Sequence, residues 1–251
     1  MSDSLNKIQA MRYNRQIVLP QIDLDGQERL LNARVLVMGV GGLGCHAAQS
    51  LVASGVGQIT LVDDDTVSAT NLPRQILFTD ASVGQSKVTA ARQRLQQLNP
   101  DCQINCRDYR PDPQQLDALA RQHDVVLDCT DHKTAREQIN HSCVNALTPL
   151  VSGAAIRFEG QLFVSRFEPD MPCYHCLGNL FTDPVSSCTE SGIFSPVVAI
   201  IGLQQALIAM QLLAQFGQPP LGKLVLFDAL CHQWQTFTVP KSAACSVCGS
   251  P

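Results

Sequence analysis

From residue 34 onward, short apolar runs alternate with longer stretches rich in Ala, Leu and Gln. Residues 34–38 form a β-branched apolar run, 42–54 have helical composition, and 58–62 are again short and apolar. Glycines bound these runs, as they bound strands buried on both faces of a parallel sheet. Helical composition resumes at 86–98 and stops at Asn99-Pro100, because proline disfavours helical backbone in the residue before it. A strand at 103–106, a helix at 114–121, a strand at 125–127, a helix at 134–147 and a strand at 150–153 follow. The alternation predicts an α/β fold, a doubly wound and mainly parallel sheet with right-handed crossovers.

On either side of this block the pattern differs. Residues 1–33 form an arm with two cations, Arg12 and Arg15, and a short helix at 26–31. Beyond 153, residues 161–167 and 223–227 read as strands and 233–239 alternates like a half-exposed one. Between them, Val197, Ile200, Ile201, Leu207, Ile208 and Leu212 recur at helical spacing, and Pro196 sits where a first turn tolerates proline. Gln204, Gln205 and Gln211 interrupt that stretch, so its unbroken apolar runs fall far short of the roughly 20 residues of a membrane span. A buried helix is expected. No linker is long enough to separate two domains, so 1–33 (arm), 34–154 (nucleotide-binding half) and 155–251 (second half) are read as one unit.

The 251 residues are 45% apolar and 16% charged, enough for a buried core and too few charges for a disordered chain or a solvated rod. A net charge of −4 argues against a broad nucleic-acid surface, which needs clustered Lys and Arg. Eleven cysteines is an odd number, and no positively charged start with an apolar h-region opens the sequence. A cytoplasmic protein with reduced cysteines, some of them metal-bound, is expected.

Chemistry enters at Gly39-Val40-Gly41-Gly42-Leu43-Gly44, directly after a strand and at the start of a helix. Missing side chains at Gly39, Gly41, Gly42 and Gly44 let backbone N–H groups and a helix N-terminus approach phosphate, the Rossmann-like arrangement. Asp63 ends the next strand, at the spacing of an acid that binds ribose hydroxyls. Taken literally, this pattern predicts NAD and an oxidoreductase, yet no His or Tyr acid/base motif accompanies it. Asn71, Arg74, Gln75 and Lys87 follow instead, and if they face the loop they suit a triphosphate whose charge grows during attack. Otherwise Arg74 and Lys87 are ordinary surface cations. Asp128 and Asp131 lie at a strand's C-terminal end, the ligand-binding edge of such sheets; Asp131 could hold Mg²⁺, and Asp128 is read as a buried helix-capping or sheet-edge group.

Two CxxC pairs, Cys173/Cys176 and Cys245/Cys248, beside turn formers Pro172 and Gly249, make a thiolate set of the Zn²⁺ type. Four thiolates leave no open position, so the zinc is structural and clips the C-terminus to the body, with His175 a bystander. Cys45, Cys102, Cys106, Cys129, Cys143 and Cys231 are read as small buried apolar residues.

Several motifs in fixed order resemble those of the E1-like ThiF/MoeB/HesA superfamily. They are Arg12-Tyr13-Asn14-Arg15-Gln16, the glycine loop, Asn71-Leu72-Pro73-Arg74-Gln75, Val83-Gly84-Gln85-Ser86-Lys87, Leu127-Asp128-Cys129-Thr130-Asp131 and the paired CxxC. The similarity runs from Met11 to Gly249. The stretch 151–161, Cys45 and residues 65–68 are most similar to members that serve molybdenum cofactor biosynthesis, while Phe227 and Gln233-Trp234 are as much like the thiamine-pathway members. The resemblance implies a homodimer that binds ATP with Mg²⁺ and adenylates the C-terminal Gly-Gly carboxylate of a ubiquitin-like sulfur carrier, releasing pyrophosphate. A separate sulfur donor completes the sequence. By motif position, Asp63 binds ribose, Asn71, Arg74, Gln75 and Lys87 hold phosphates, Asp131 holds Mg²⁺, and Arg15 reaches the partner subunit's site. The small residues Ala154 and Ala155 would floor a groove for the carrier tail. His132 stands where the family usually has Asn, and Pro73 where it commonly has Gln. Cys188 lies where some relatives have a cysteine that can link covalently to the carrier; a free loop thiol is the simpler reading, since adenylation does not need one.

Overall fold

The computed structural model describes residues 5–181 and 192–249. Its eight strands form one sheet in the order β3-β2-β1-β4-β5-β6-β7-β8. β1 (Arg34–Met38), β2 (Gln58–Val62), β3 (Gln103–Arg107), β4 (Val125–Asp128) and β5 (Leu150–Ile156) are parallel, and β6 (Glu159–Ser165), β7 (Lys223–Asp228) and β8 (Gln233–Thr238) add antiparallel hairpins. The parallel half is buried on both faces, which is why β1, β2 and β4 are almost unbroken apolar runs. β6 begins two residues earlier than its apolar run suggests, because Glu159 and Gly160 pair with Ile156 and Ala155 across the tight turn. β8 differs more. All six of its residues are exposed, since it is the sheet edge and no helix covers it.

The arm holds three helices where one was expected: α1 (Lys7–Arg12), α2 (Asn14–Ile17) and α3 (Asp23–Asn32). Tyr13 anchors it, buried under Gly55 with its hydroxyl accepting from Asn99 Nδ2 at 2.9 Å. The crossover helices are α4 (Gly42–Ala53), α5 (Lys87–Leu98), α6 (Pro113–Gln122) and α7 (Lys133–Ala146). α8 (Tyr174–Gly178) carries the first cysteine pair, and α9 (Ser195–Ala214) packs against α4 and β5.

α9 is long and apolar enough to cross a membrane by composition alone. Its placement is that of a core helix. Gln205, fully buried, donates from Nε2 to the carbonyls of Asp128, the last residue of β4, at 2.8 Å and of Val151, near the start of β5, at 3.1 Å. Its Oε1 accepts from the Cys129 thiol at 3.4 Å. A buried amide satisfied at both ends fixes where the helix sits. Gly153 makes the approach possible, since a Cβ there would lie 2.4 Å from the Gln205 carboxamide carbon.

Candidate active site

Because strand order reverses direction of winding at β1, the loops after β1, β2 and β4 open one cleft at the C-terminal edge of the sheet, with a volume of about 410 Å³. The glycine loop forms its floor. Gly39 has φ +89° and donates to the Val62 carbonyl at 2.8 Å, a backbone state that L side chains rarely adopt. At Gly44 a Cβ would sit 2.0 Å from the Gly39 carbonyl oxygen, so the helix can turn directly over the loop only with glycine there. Gly41 caps α4, and above it a Cβ would meet nothing closer than Gln75 Nε2 at 3.8 Å. That leaves room over the helix N-terminus, whose unpaired N–H groups favour an anion.

Asp63 fastens this floor. Its Oδ2 accepts from the Val40 N–H at 2.6 Å and its Oδ1 from the Asp65 N–H at 2.9 Å. Burial pushes its pKa up, and the nearby Lys87 ammonium and these amides pull it back. Lys87 is no surface cation: its side chain is 7% exposed, with Nζ 2.7 Å from Asp65 Oδ2 and 3.8 Å from Asp63 Oδ1. Asp65 is largely exposed, so it can release the ammonium to an incoming anion at little cost.

Opposite stands the 71–75 turn. Asn71 accepts from the N–H groups of Arg74 and Gln75 through its carbonyl, and its Oδ1 from Ser68 N at 3.0 Å. Arg74 Nη1 donates to Thr70 O at 2.9 Å, which aims the guanidinium from a fixed turn. Gln75 is buried, with an Oε1 that has no hydrogen-bond partner, a polar group held at the cleft wall.

From β4 comes the acidic wall. Asp128 is fully buried and accepts from Thr130 N (3.1 Å), Thr130 Oγ1 (2.7 Å) and Ser152 Oγ (2.8 Å), so of the two expected roles it is the buried sheet-edge group and not a helix cap, the N-cap of α7 being His132. Arg136, which had no sequence signal, clamps the same loop by donating to Thr130 O at 3.2 and 2.7 Å. Asp131 is thereby presented at the tip, 61% exposed, with His132 Nε2 3.4 Å from its Oδ1. An open carboxylate beside a phosphate-sized space suits a hard divalent cation.

Gly39, Gly41, Gly42, Asp63, Asn71, Arg74, Gln75, Lys87 and Asp131 therefore line one cleft, with Gly44 packed beneath it. Arg15 does not. It is exposed on α2, away from this chain's cleft. Ala155 lines the cleft while Ala154 is half-buried beside it. Sequence reasoning missed Tyr109, Arg110 and Pro111, which line the cleft from the loop after β3. Their only signal was position, at the end of a parallel strand. Cys188 lies outside the described residues. Cys231 is exposed in the β7–β8 turn, not buried as expected, because that hairpin projects from the sheet edge; Cys106 is half-buried.

The second site is sulfur. The Sγ atoms of Cys173, Cys176, Cys245 and Cys248 all lie within 4.8 Å of one another, with Cys173–Cys245 at 3.8 Å and Cys176–Cys248 at 3.5 Å. Sulfurs at roughly 2.3 Å from a tetrahedral zinc stand about 3.8 Å apart, so the cluster is compatible with that ion. His175 is turned away, to Glu137 Oε2 at 3.0 Å and Ser246 Oγ at 3.3 Å.

Residues 13–247 match the model of the ThiF family. The chain belongs to the ThiF family. Among its relatives it is 47% identical to the molybdopterin-synthase adenylyltransferase of Salmonella typhimurium, over 98% of each chain. The sulfur carrier protein ThiS adenylyltransferase of Escherichia coli is 44% identical, covering 98% of this chain and 97% of that one. Within the family's fold, the crystal structure of E. coli MccB with ATP superposes with a TM-score of 0.81 at 24% identity, covering 99% of this chain and 75% of that one. That likeness concerns the fold alone.

Proposed function

We propose that the protein is an ATP-dependent adenylyltransferase that activates the C-terminal glycine carboxylate of a ubiquitin-like sulfur carrier, the small subunit of molybdopterin synthase. The observation that carries this reading is the cleft itself, which a glycine loop, Asp63 with the buried Lys87 beside it, and the 71–75 turn with Arg74 and Gln75 line together. Relatives of matching length bear that activity in their names. The same chemistry on the thiamine-pathway carrier is the second reading, favoured by the 44% identity to the ThiS adenylyltransferase.

In this mechanism a carboxylate oxygen of the carrier attacks the α-phosphorus of ATP. The new P–O bond forms as the bond to the β-phosphate oxygen breaks, and pyrophosphate leaves. The nucleophile is already ionised at neutral pH, so no general base is required. The barrier falls through positioning and through cations facing the charge that develops. Asp63 holds the ribose, the α4 N-terminus and Asn71 the phosphates, and Lys87 transfers its ammonium from Asp65 to phosphate oxygens. Asp131 would hold Mg²⁺, which neutralises phosphate charge when bound. The four thiolates would hold zinc, a structural ion with no part in the reaction. Arg15 serves the neighbouring subunit of a homodimer, which explains its distance from its own chain's cleft, and a separate donor supplies sulfur to the acyl-adenylate.

Pyrophosphate exchange with a panel of Gly-Gly-ended carriers tests the reading. Exchange stimulated by the molybdopterin-synthase subunit is expected; stimulation by the thiamine carrier alone would select the second reading, and NAD in the purified protein with no exchange would overturn both. The carrier tail enters beside Ala155, where a methyl side chain leaves room for an extended glycine backbone. Ala155→Trp is expected to abolish carrier-dependent exchange while ATP still binds in calorimetry, and an active variant would refute that tail path.

A further inference from the structure

α7 touches both sites. In its first turn Arg136 donates to Thr130 O at 3.2 and 2.7 Å, which steadies the cleft loop that presents Asp131. On the face turned to α8, Glu137 Oε2 stands 3.0 Å from His175 Nδ1, and Asn140 Oδ1 accepts from Tyr174 N at 2.8 Å. Tyr174 and His175 are the two residues between Cys173 and Cys176. Within little more than a turn, one helix grips the cleft loop and the four-sulfur set.

Asn140 is the unusual member of this contact. Its side chain is fully buried, and its oxygen is committed to the first N–H of α8, so the orientation of the amide is fixed and Nδ2 is the opposite end. That Nδ2 is buried with no hydrogen-bond partner among the described residues. It faces the Cys173 sulfur without hydrogen-bond geometry. Burial raises the pKa of that thiol, and the Cys176 N–H and the Asn140 side chain pull it back. An unpaired buried donor costs the desolvation of its N–H, and folded proteins rarely keep one. A neutral thiol is a poor acceptor, whereas a metal-bound sulfur is ionised and accepts strongly. The unpaired amide is therefore matched to a metal-loaded state.

We propose that Asn140 donates its Nδ2–H to the Cys173 thiolate when metal is bound, and that through this bond the clasp fixes α7 and with it the loop that presents Asp131. The assignment rests on the reading of the four thiolates as a metal site. Asn140 is a positioning residue, since it touches no substrate. Partners of this kind orient a ligand and set its donor strength.

Cobalt(II) titration of the full, metal-stripped chain, with zinc affinity from competition against a chelator, compares wild type with two variants in mildly alkaline buffer. Asn140→Asp keeps the oxygen for Tyr174 N–H and replaces the donor by an ionised oxygen. Asn140→Leu has nearly the same shape and no polar atom. Both are expected to weaken zinc about 10–100-fold. Both are also expected to move the thiolate-to-cobalt charge-transfer band to longer wavelength, because the sulfur loses a hydrogen bond that lowers the energy of its electron pair. In wild type, hydrogen exchange is expected to show metal-dependent protection of residues 133–146, with β1 and α4 unchanged. Wild-type zinc affinity with an unmoved band in both variants would overturn the donor. Protection of α7 that is equal with and without metal, or that is lost equally throughout the sheet, would overturn the link to the cleft loop. A wild-type chain that binds neither cobalt nor zinc would instead overturn the metal reading on which the assignment depends.

Discussion

Lys87→Met is expected to lower the maximal rate of carrier adenylation by about 10²–10³-fold, the usual effect of deleting one preorganised charge donor to a transition state. Methionine fills the same buried channel, so packing is largely kept. The Lys87 side chain is 7% exposed, and two carboxylates hold its ammonium at the cleft until phosphate replaces Asp65 as its partner. Charge preorganised in a dry cleft needs no reorganisation at the moment of attack. Single-turnover kinetics at saturating ATP and carrier measure the effect; a variant within fivefold or so of wild type would remove Lys87 from the phosphate site.

The same variant carries a signature in stability. Burial already raises the Asp63 pKa, and Lys87 is the strongest of the influences that pull it down. Without the cation, the folded-state pKa rises further above its unfolded value, so the folded state binds more protons than the unfolded chain. Stability of the variant relative to wild type is therefore expected to fall as pH rises through the carboxylate range, and to recover in acid. Melting curves from pH 4 to 8 would check the sign.

The second large effect is at the sulfur site. Cys176→Ser is expected to abolish stoichiometric zinc, about one ion per chain in the wild type, and to lower the melting temperature by about 10 °C. Cys173, Cys176 and Cys245 belong to an apolar cluster with Leu177, Phe163 and Val239, so the pairs close over part of the core instead of hanging from it. A clasp between residues 173 and 248 also removes much freedom from the unfolded chain. Its loss frees the C-terminal segment and uncovers that cluster while the parallel sheet persists. Zinc analysis with calorimetry tests this, and a metal-free wild type with the same melting temperature as the variant would refute a structural ion.

Much of the cleft floor was legible because it is local. Gly39 to Gly44 follow one strand and open one helix, Asp63 ends the next strand, and neighbouring strands in a parallel sheet put those ends side by side. The thiolate set was legible for a different reason: two CxxC pairs, each with two residues between its cysteines, match the ligand spacing of a four-thiolate metal site. Asp128 read correctly as a buried sheet-edge group because it ends a wholly apolar run, and the hydroxyls of Thr130 and Ser152 satisfy its carboxylate.

Other features depended on contacts that no local pattern encodes. The pairing of Lys87 with Asp65 joins the loop after β2 to the start of α5, and the side chain's burial follows from that closure. Gln205 looked like an interruption of an apolar stretch; it is the amide that locks α9 to β4 and β5, 77 and 54 residues away. Tyr109 and Arg110 had neither spacing nor motif. They reach the cleft only because β3 lies next to β2 in the sheet, which carries its loop to the ribose acid. Arg15 lies on an arm anchored by Tyr13 beneath Gly55, a packing that keeps it out of its own chain's cleft. The sequence by itself determined the alternating strands and helices, the glycine loop at the start of α4 and the two cysteine pairs, because each is written in periodicity or short spacing. Tertiary structure alone decided which cations converge and which acids they meet, because those distances depend on strand order and on helices that cross the sheet.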